Sequence, residues 1–191
     1  HTYEYWTKTT AKGNYSVKLR KKINTNDIEE IWNGDKEKER LGVEYFGVGD
    51  LEVSHNDKYL AYSLDVKGSE YYTIFIKEIN TNKIITKKIT ETSGNIIFSL
   101  DDKYVFYSKL DENHRARTIY RHKIGNVSNH DDLIFEEKSE AFTVGISLSS
   151  DEKYYFITTS DHNTSEQYYF ATNEDNPKPK LIKKREKGIL Y

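Results

Sequence analysis

The sequence contains no cysteine and no methionine, and its only prolines are Pro177 and Pro179. Without cysteine there is no disulfide, no thiolate nucleophile and no thiolate zinc site. This fits a reducing compartment, and a cytoplasmic location is expected. Also missing is any apolar run near the roughly 18 residues of a membrane-spanning helix, so no membrane partner is expected. Charge of one sign is lacking too: 29 Lys and Arg stand against 31 Asp and Glu. That balance gives no electrostatic reason to expect a nucleic acid. The absence of Met, with His at position 1, leads us to expect a piece of a longer protein whose targeting signals lie upstream. Its 191 residues suffice for one domain with a real core.

What is abundant favours strands. There are 16 Tyr and 8 Phe, with many Ile, Thr and Val, residues that suit a pleated, half-buried surface. Polar residues alternate with short apolar runs instead of forming disordered tracts. The charge run Asp35-Lys36-Glu37-Lys38-Glu39-Arg40 reads as a solvated turn or short helix. Pro177 and Pro179 read as a connector into a last strand.

A threefold repeat organises the chain. Ser54-His55-Asn56-Asp57-Lys58-Tyr59 aligns with Ser99-Leu100-Asp101-Asp102-Lys103-Tyr104 and with Ser149-Ser150-Asp151-Glu152-Lys153-Tyr154. Lys58 to Lys103 is 45 positions and Lys103 to Lys153 is 50. Ser followed by Asn or Asp offers side-chain acceptors that fold a tight turn, so each repeat predicts a hairpin. Further strands are predicted at 71–79, 118–124 and 167–172, then more polar ones at 83–89, 133–137 and 181–185. Four antiparallel strands in roughly 40–50 residues is the signature of a β-propeller blade.

The polarity gradient agrees. Lys103-Tyr104-Val105-Phe106-Tyr107 and Lys153-Tyr154-Tyr155-Phe156-Ile157 lack the alternation of a half-exposed sheet, as expected between neighbouring blades. The last strand of each unit carries charge that blunts a sheet edge. Residues 3–7 and 15–23 predict a hairpin around Lys12-Gly13-Asn14, with 28–32 as its outer strand. The expected fold is therefore all-β: a partial, open propeller of about three full blades (42–91, 92–139 and 140–191) after most of another (1–41). Ile189-Leu190-Tyr191 reads as the first strand of a further blade. A β-sandwich is the structural alternative.

The chain also resembles a known family. The stretches 3–22, 44–54 and 60–65, then Thr92-Ser93-Gly94, Phe106-Tyr107-Ser108-Lys109-Leu110-Asp111-Glu112-Asn113-His114-Arg115, Tyr120-Arg121-His122-Lys123-Ile124-Gly125 and Thr164-Ser165-Glu166 resemble the propeller of the oligopeptidase B (protease II) group. That group belongs to the prolyl oligopeptidase family of serine peptidases. The chain departs from it where a Pro-Asp-Gly turn is common, at His55-Asn56-Asp57, Leu100-Asp101-Asp102 and Ser150-Asp151-Glu152. The resemblance implies a parent with a seven-bladed propeller capping an α/β-hydrolase domain. It implies cleavage of short basic peptides after Arg or Lys, with a Ser-His-Asp triad outside this chain and no cofactor. The partners implied are the missing blades and the hydrolase domain, to which the propeller restricts access.

The residues themselves offer little catalytic chemistry. Gly145-Ile146-Ser147-Leu148-Ser149 lacks the second Gly of a nucleophile elbow and reads as strand. His1, His55, His114, His122, His130 and His162 show no metal-ligand spacing, and His114 and His122 are expected to lie across a hairpin as surface or interface residues. The sequons at Asn14, Asn126 and Asn163 are expected by chance. Three of the six Arg, at 115, 117 and 121, fall within seven residues beside Asp111, Glu112 and His114. Asp111, Glu112, His114, Arg115 and Arg121 are thus candidate contacts across a domain interface or tunnel mouth. The plainer reading is a self-satisfied loop, with Asp111 or Glu112 pairing Arg115. Glu136, Glu137 and Glu140 read as a solvated acidic edge. A stand-alone propeller-like module binding a protein or glycan is the alternative function. An open fan is expected to expose apolar blade faces and to self-associate.

Overall fold

The three aligned segments fold identically. In each, the Ser Oγ accepts the backbone N–H of the Tyr five residues on, at 2.8, 2.9 and 3.0 Å for Ser54, Ser99 and Ser149. The same hydroxyl donates to Asn56, Asp101 or Asp151, whose oxygen accepts from the following Lys N–H. The turn thereby satisfies its own backbone donors and sends the chain back antiparallel. The computed structural model describes residues 2–86, 88–126 and 130–191. His1, Lys87 of the expected 83–89 strand, and Val127 and Ser128 of one sequon lie outside these.

Among the described residues the elements, in chain order, are β1 (Tyr3–Lys8), β2 (Val17–Lys22), β3 (Ile28–Asn33), α1 (Gly34–Leu41), β4 (Gly47–Val53), β5 (Tyr59–Asp65), β6 (Tyr72–Glu78), β7 (Lys83–Ile84) and β8 (Ile89–Thr92). They continue with β9 (Ile97–Phe98), β10 (Tyr104–Leu110), β11 (Ala116–Lys123), β12 (Asp132–Glu136), β13 (Thr143–Leu148), β14 (Tyr154–Ser160), β15 (Ser165–Ala171) and β16 (Lys180–Lys183). Every pairing is antiparallel and runs mostly between consecutive strands: β1-β2-β3, β4-β5-β6-β7, β9-β10-β11-β12 and β13-β14-β15-β16. These are blades of an unclosed propeller. The run 35–40 is the helix α1, capped by Asn33, whose Oδ1 accepts from Lys36 N, and by Gly42 at φ 64°.

The cores lie between the sheets. Leu60, Tyr62 and Leu64 of β5 pack with Ile31 and Trp32 of β3. Ala61 of the same strand joins Ile74, Ile76, Phe98, Val105 and Tyr107 on the other face. Phe106 and Ile119 then meet Val144, Tyr155, Ile157 and Phe170. Odd and even positions of one strand thus serve two cores, which explains the missing alternation.

Two expectations change. The strand expected at 83–89 does not run as one ladder among the described residues: Ile84 pairs Lys77 and Ile85 N donates to Ile76 O, whereas Ile89 pairs Ile74, so the register shifts between them. Beyond it, Thr92 pairs with both Tyr72 and Lys109, which splices two blades into one nine-stranded sheet. The Thr92-Ser93-Gly94 motif makes this splice. Gly94, at φ 93°, leaves room for the Tyr72 ring 3.0 Å from where a Cβ would sit. The second change concerns 189–191, which do not add a ladder. Ile189 O accepts from Ser165 N at 2.9 Å and Tyr191 N donates to Ser165 Oγ at 2.8 Å.

Candidate functional site

At one end of the fan the β5–β6, β10–β11 and β14–β15 loops gather beside the β12–β13 connection. Each loop opens on an aspartate that holds its backbone. Asp65 accepts from the N–H groups of Lys67, Gly68 and Glu70; Asp111 from Asn113 and Arg115; Asp161 from Asn163 and Thr164. Burial raises the Asp65 carboxyl, but these backbone donors outweigh it and hold the group below its ordinary value. Adjacent loops are tied together as well. The Tyr71 hydroxyl donates to Asp111 O at 2.7 Å, and its ring lies 4.1 Å from the His114 imidazole.

Here the candidate residues divide. Asp111, Glu112, Arg115 and Arg117 line a cavity of about 640 Å³ together with Glu136, Glu137 and Glu140. The structure thus joins the basic cluster to the acidic edge, two groups that the sequence left apart. Asp111 is spent on its own loop, through the backbone N–H of Arg115 rather than the guanidinium. Glu137 is not a solvated edge residue. It is 4% exposed and takes Arg185 Nη2 at 2.7 Å. Among the described residues no ion pair joins Arg115 or Arg117 to Glu112, Glu136 or Glu140. The rim offers both signs of charge to a partner.

Arg185 anchors this end. Besides Glu137 it reaches Glu166 Oε1 at 3.0 Å and Thr159 Oγ1 at 3.2 Å, while its guanidinium lies 4.0 Å from the Phe142 ring centre. Tyr168 and the Arg185 N–H also donate to Glu166. Burial raises the Glu166 carboxyl, yet the Arg185 and Tyr168 bonds prevail and bring it down to about 2. Tyr168 is pushed up to about 12, first by burial and then by Glu166.

Arg121 does not belong with Arg115 and Arg117. It sits near the far end of β11, about 20 Å from Arg115 at roughly 3.3 Å per residue. There it grips Asp132 Oδ2 at 2.7 and 3.1 Å and donates to Asp175 O at 2.9 Å, stacked 4.1 Å from Tyr104. It clamps one blade to the next. Arg20, 2% exposed, does the same between the first two: it bonds Glu29, Asp57 O and Asn80 over the Tyr3 ring. Nothing local in the sequence singles out Arg20, although Tyr3 to Arg20 and Tyr104 to Arg121 are both 17 positions.

His114 lies in the β10–β11 loop and His122 near the far end of β11, so they do not face each other across a hairpin. His122 is 1% exposed, its Nδ1 2.8 Å from Asp131 Oδ1 and its Nε2 2.8 Å from Thr86 Oγ1 of the preceding blade. Tyr107 donates to the same Asp131 at 2.8 Å. The order Thr, His, Asp imitates a hydrolytic triad. With His122 buried between blades and its partners drawn from two of them, it works as a fastening. Gly145 to Ser147 lie within β13.

The acid ending each repeated turn occupies the left-handed region, with Asp57 at φ 61°, Asp102 at 53° and Glu152 at 58°. Asp57 accepts from Thr2 N and the Tyr5 hydroxyl, and Asp102 from the N–H groups of His55 and Asn56. At Asp57 and Asp102 the acid where glycine is common therefore serves as an inter-blade tie that offsets the backbone strain.

A model of the prolyl oligopeptidase N-terminal β-propeller domain matches residues 1–191. Protease 2 of Moraxella lacunata is 32% identical over 150 residues, 78% of this chain and 22% of that protein. Dipeptidyl aminopeptidase BI of Pseudoxanthomonas mexicana is 33% identical over 118 residues, 61% of this chain and 16% of that protein. The chain thus spans about a fifth of the length of such relatives. Oligopeptidase B from Leishmania major superposes over 98% of this chain and 27% of its own, with a TM-score of 0.91 at 23% identity. Repeated turns, inter-blade cores and unclosed sheets together agree with these matches: the chain belongs to the prolyl oligopeptidase family, as the N-terminal β-propeller domain of its peptidases.

Proposed function

We propose that this propeller governs access to an α/β-hydrolase domain in an oligopeptidase of the oligopeptidase B kind. Such a parent cleaves short peptides after Arg or Lys. The observation that carries the reading is the family match along all 191 residues, in a sequence without a Gly-x-Ser-x-Gly nucleophile elbow. The cleavage specificity is taken from the oligopeptidase B likeness alone, since Dipeptidyl aminopeptidase BI is also a relative, at 33% identity over 118 residues. In this reading Glu112, His114 and Arg115, with Arg117, Glu136 and Glu140, form the surface that meets the catalytic domain or the tunnel mouth. Arg121 acts at a distance from it, by holding blades in place.

The chain alone is expected not to hydrolyse an arginyl reporter peptide, and cleavage above a protein-free control would refute this. The parent protein is expected to cut that reporter and to spare a folded protein of the same sequence content. Arg121→Ala in the parent is expected to relax that size limit. An unchanged limit in a variant shown to have lost blade contacts would remove the access role.

A further inference from the structure

The first strands of the last three blades, β4, β9 and β13, each pair on one side only, with β5, β10 and β14. They lie next to one another, so their open edges gather on the hub side of the fan. Between them, beside the His55 turn, is a cavity of about 370 Å³. Its wall is mostly apolar, with Val53, Ile97, Phe98, Ile146 and Leu148 in it. One carboxylate interrupts it. In β4, Leu51 and Val53 pack toward the first blade, whereas Glu52, opposite Ala61 in the ladder, shares the face turned to the third blade and lines the cavity.

Glu52 makes no ion pair among the described residues. Its neighbour on that face, Asp50, accepts from the N–H groups of Leu51 and Ile96 at 2.9 and 3.0 Å and adds negative field. His55, also in the wall, has its Nδ1 3.1 Å from Asp102 Oδ1. Burial and the Asp50 charge hold the Glu52 carboxyl above its ordinary value, against weaker pulls from Lys18 and His55. The cavity thus joins an unmatched negative charge to a hydrocarbon wall. We propose that it takes the cationic side chain of a peptide, a lysyl or arginyl residue. The charged end meets Glu52, and the methylene stem lies along Ile97, Phe98 and Ile146. An inorganic cation fits less well, because it needs several oxygen ligands where the wall offers one carboxylate. Such a site presupposes the access role, because a basic peptide meets this cavity where the propeller is its route to the catalytic domain.

The test uses isoleucine δ1 methyl signals of the 191-residue chain labelled with carbon-13. Acetyl-arginine amide, the uncharged acetyl-citrulline amide and calcium chloride are titrated separately at matched ionic strength. The signals missing in Ile97→Val and Ile146→Val are expected to shift saturably with the arginine derivative. The citrulline derivative is expected to bind about fivefold more weakly, the worth of a partly exposed ion pair. Glu52→Gln is expected to bring arginine down to the citrulline level. Signals that ignore the arginine derivative, or follow both derivatives equally, overturn the site. A response to calcium alone overturns the assignment to a side chain, and an unchanged arginine response in Glu52→Gln overturns the role of the carboxylate. Glu52 is exposed, so the variant is expected to fold; should it not, the wild-type contrast still decides. Cleavage of the arginyl reporter by the parent is read separately. An inert cavity leaves the access role standing, whereas a parent that ignores the reporter removes that role whatever the cavity binds.

Discussion

Two strands at the same place in the repeat show what blade neighbours do. In β5 every residue from Leu60 to Asp65 is buried; in β14 buried and half-buried positions alternate, with Tyr155, Ile157 and Thr159 turned inward. Both sequences are apolar over most of their length. What differs is the company: β5 has a sheet on either face, whereas β14 has a core on one face only. Apolar character on both faces of β14 suits a further blade, so burial here measures neighbours as well as composition.

Phe106 and Phe156 sharpen that contrast most, being the same residue at equivalent positions. Phe106→Ala is expected to cost about 4 kcal/mol in urea unfolding. Phe156→Ala is expected to cost about 1 kcal/mol. Equal losses would mean that the fourth blade is covered on both faces. Next in size, Arg185→Ala leaves Glu137 and Glu166 buried without their cation, at 4% and 5% exposure. A loss of about 3 kcal/mol is expected, confined to the last two blades in hydrogen exchange.

Arg20→Ala is expected to cost about 2 kcal/mol, since its Glu29 partner remains solvated at 47% exposure. Arg20→Lys is expected to recover less than half, because an ammonium cannot reproduce the fork to Glu29, Asp57 O and Asn80. A further effect is one of pH. Glu166 falls from an ordinary 4.5 to about 2 on folding. Its contribution is therefore complete above about pH 4.5 and lost as pH falls toward 2. Thermal melts of the wild type against Glu166→Gln are expected to converge across that window, and parallel curves would contradict the assignment.

How much of this was legible depended on whether the physics was local. The Ser-Asn/Asp-acid-Lys-Tyr turn was, because its bonds close within six residues. The charge run 35–40 was too, with a cap at either end. The interrupted outer strand was not: Thr86 looks like more strand until it is seen reaching His122. The Arg cluster misled, because a strand carries neighbours in sequence to opposite ends of a sheet. Glu137 misled for another reason, its cation lying 48 residues away at Arg185. Glu52 gave no sign at all, since whether a carboxylate has a cation is visible only once every neighbour has been placed.

The central claim is an open fan in which each blade packs only on the next. Nuclear Overhauser contacts between aromatic rings test it most directly. The account predicts Trp32 to Tyr62 and Phe106 to Tyr155 contacts, with ring centres at 6.0 and 4.8 Å, and none between Tyr3 of the first blade and Phe142 of the last. Contacts within one molecule between those last two rings would reveal a closed four-bladed ring and contradict it.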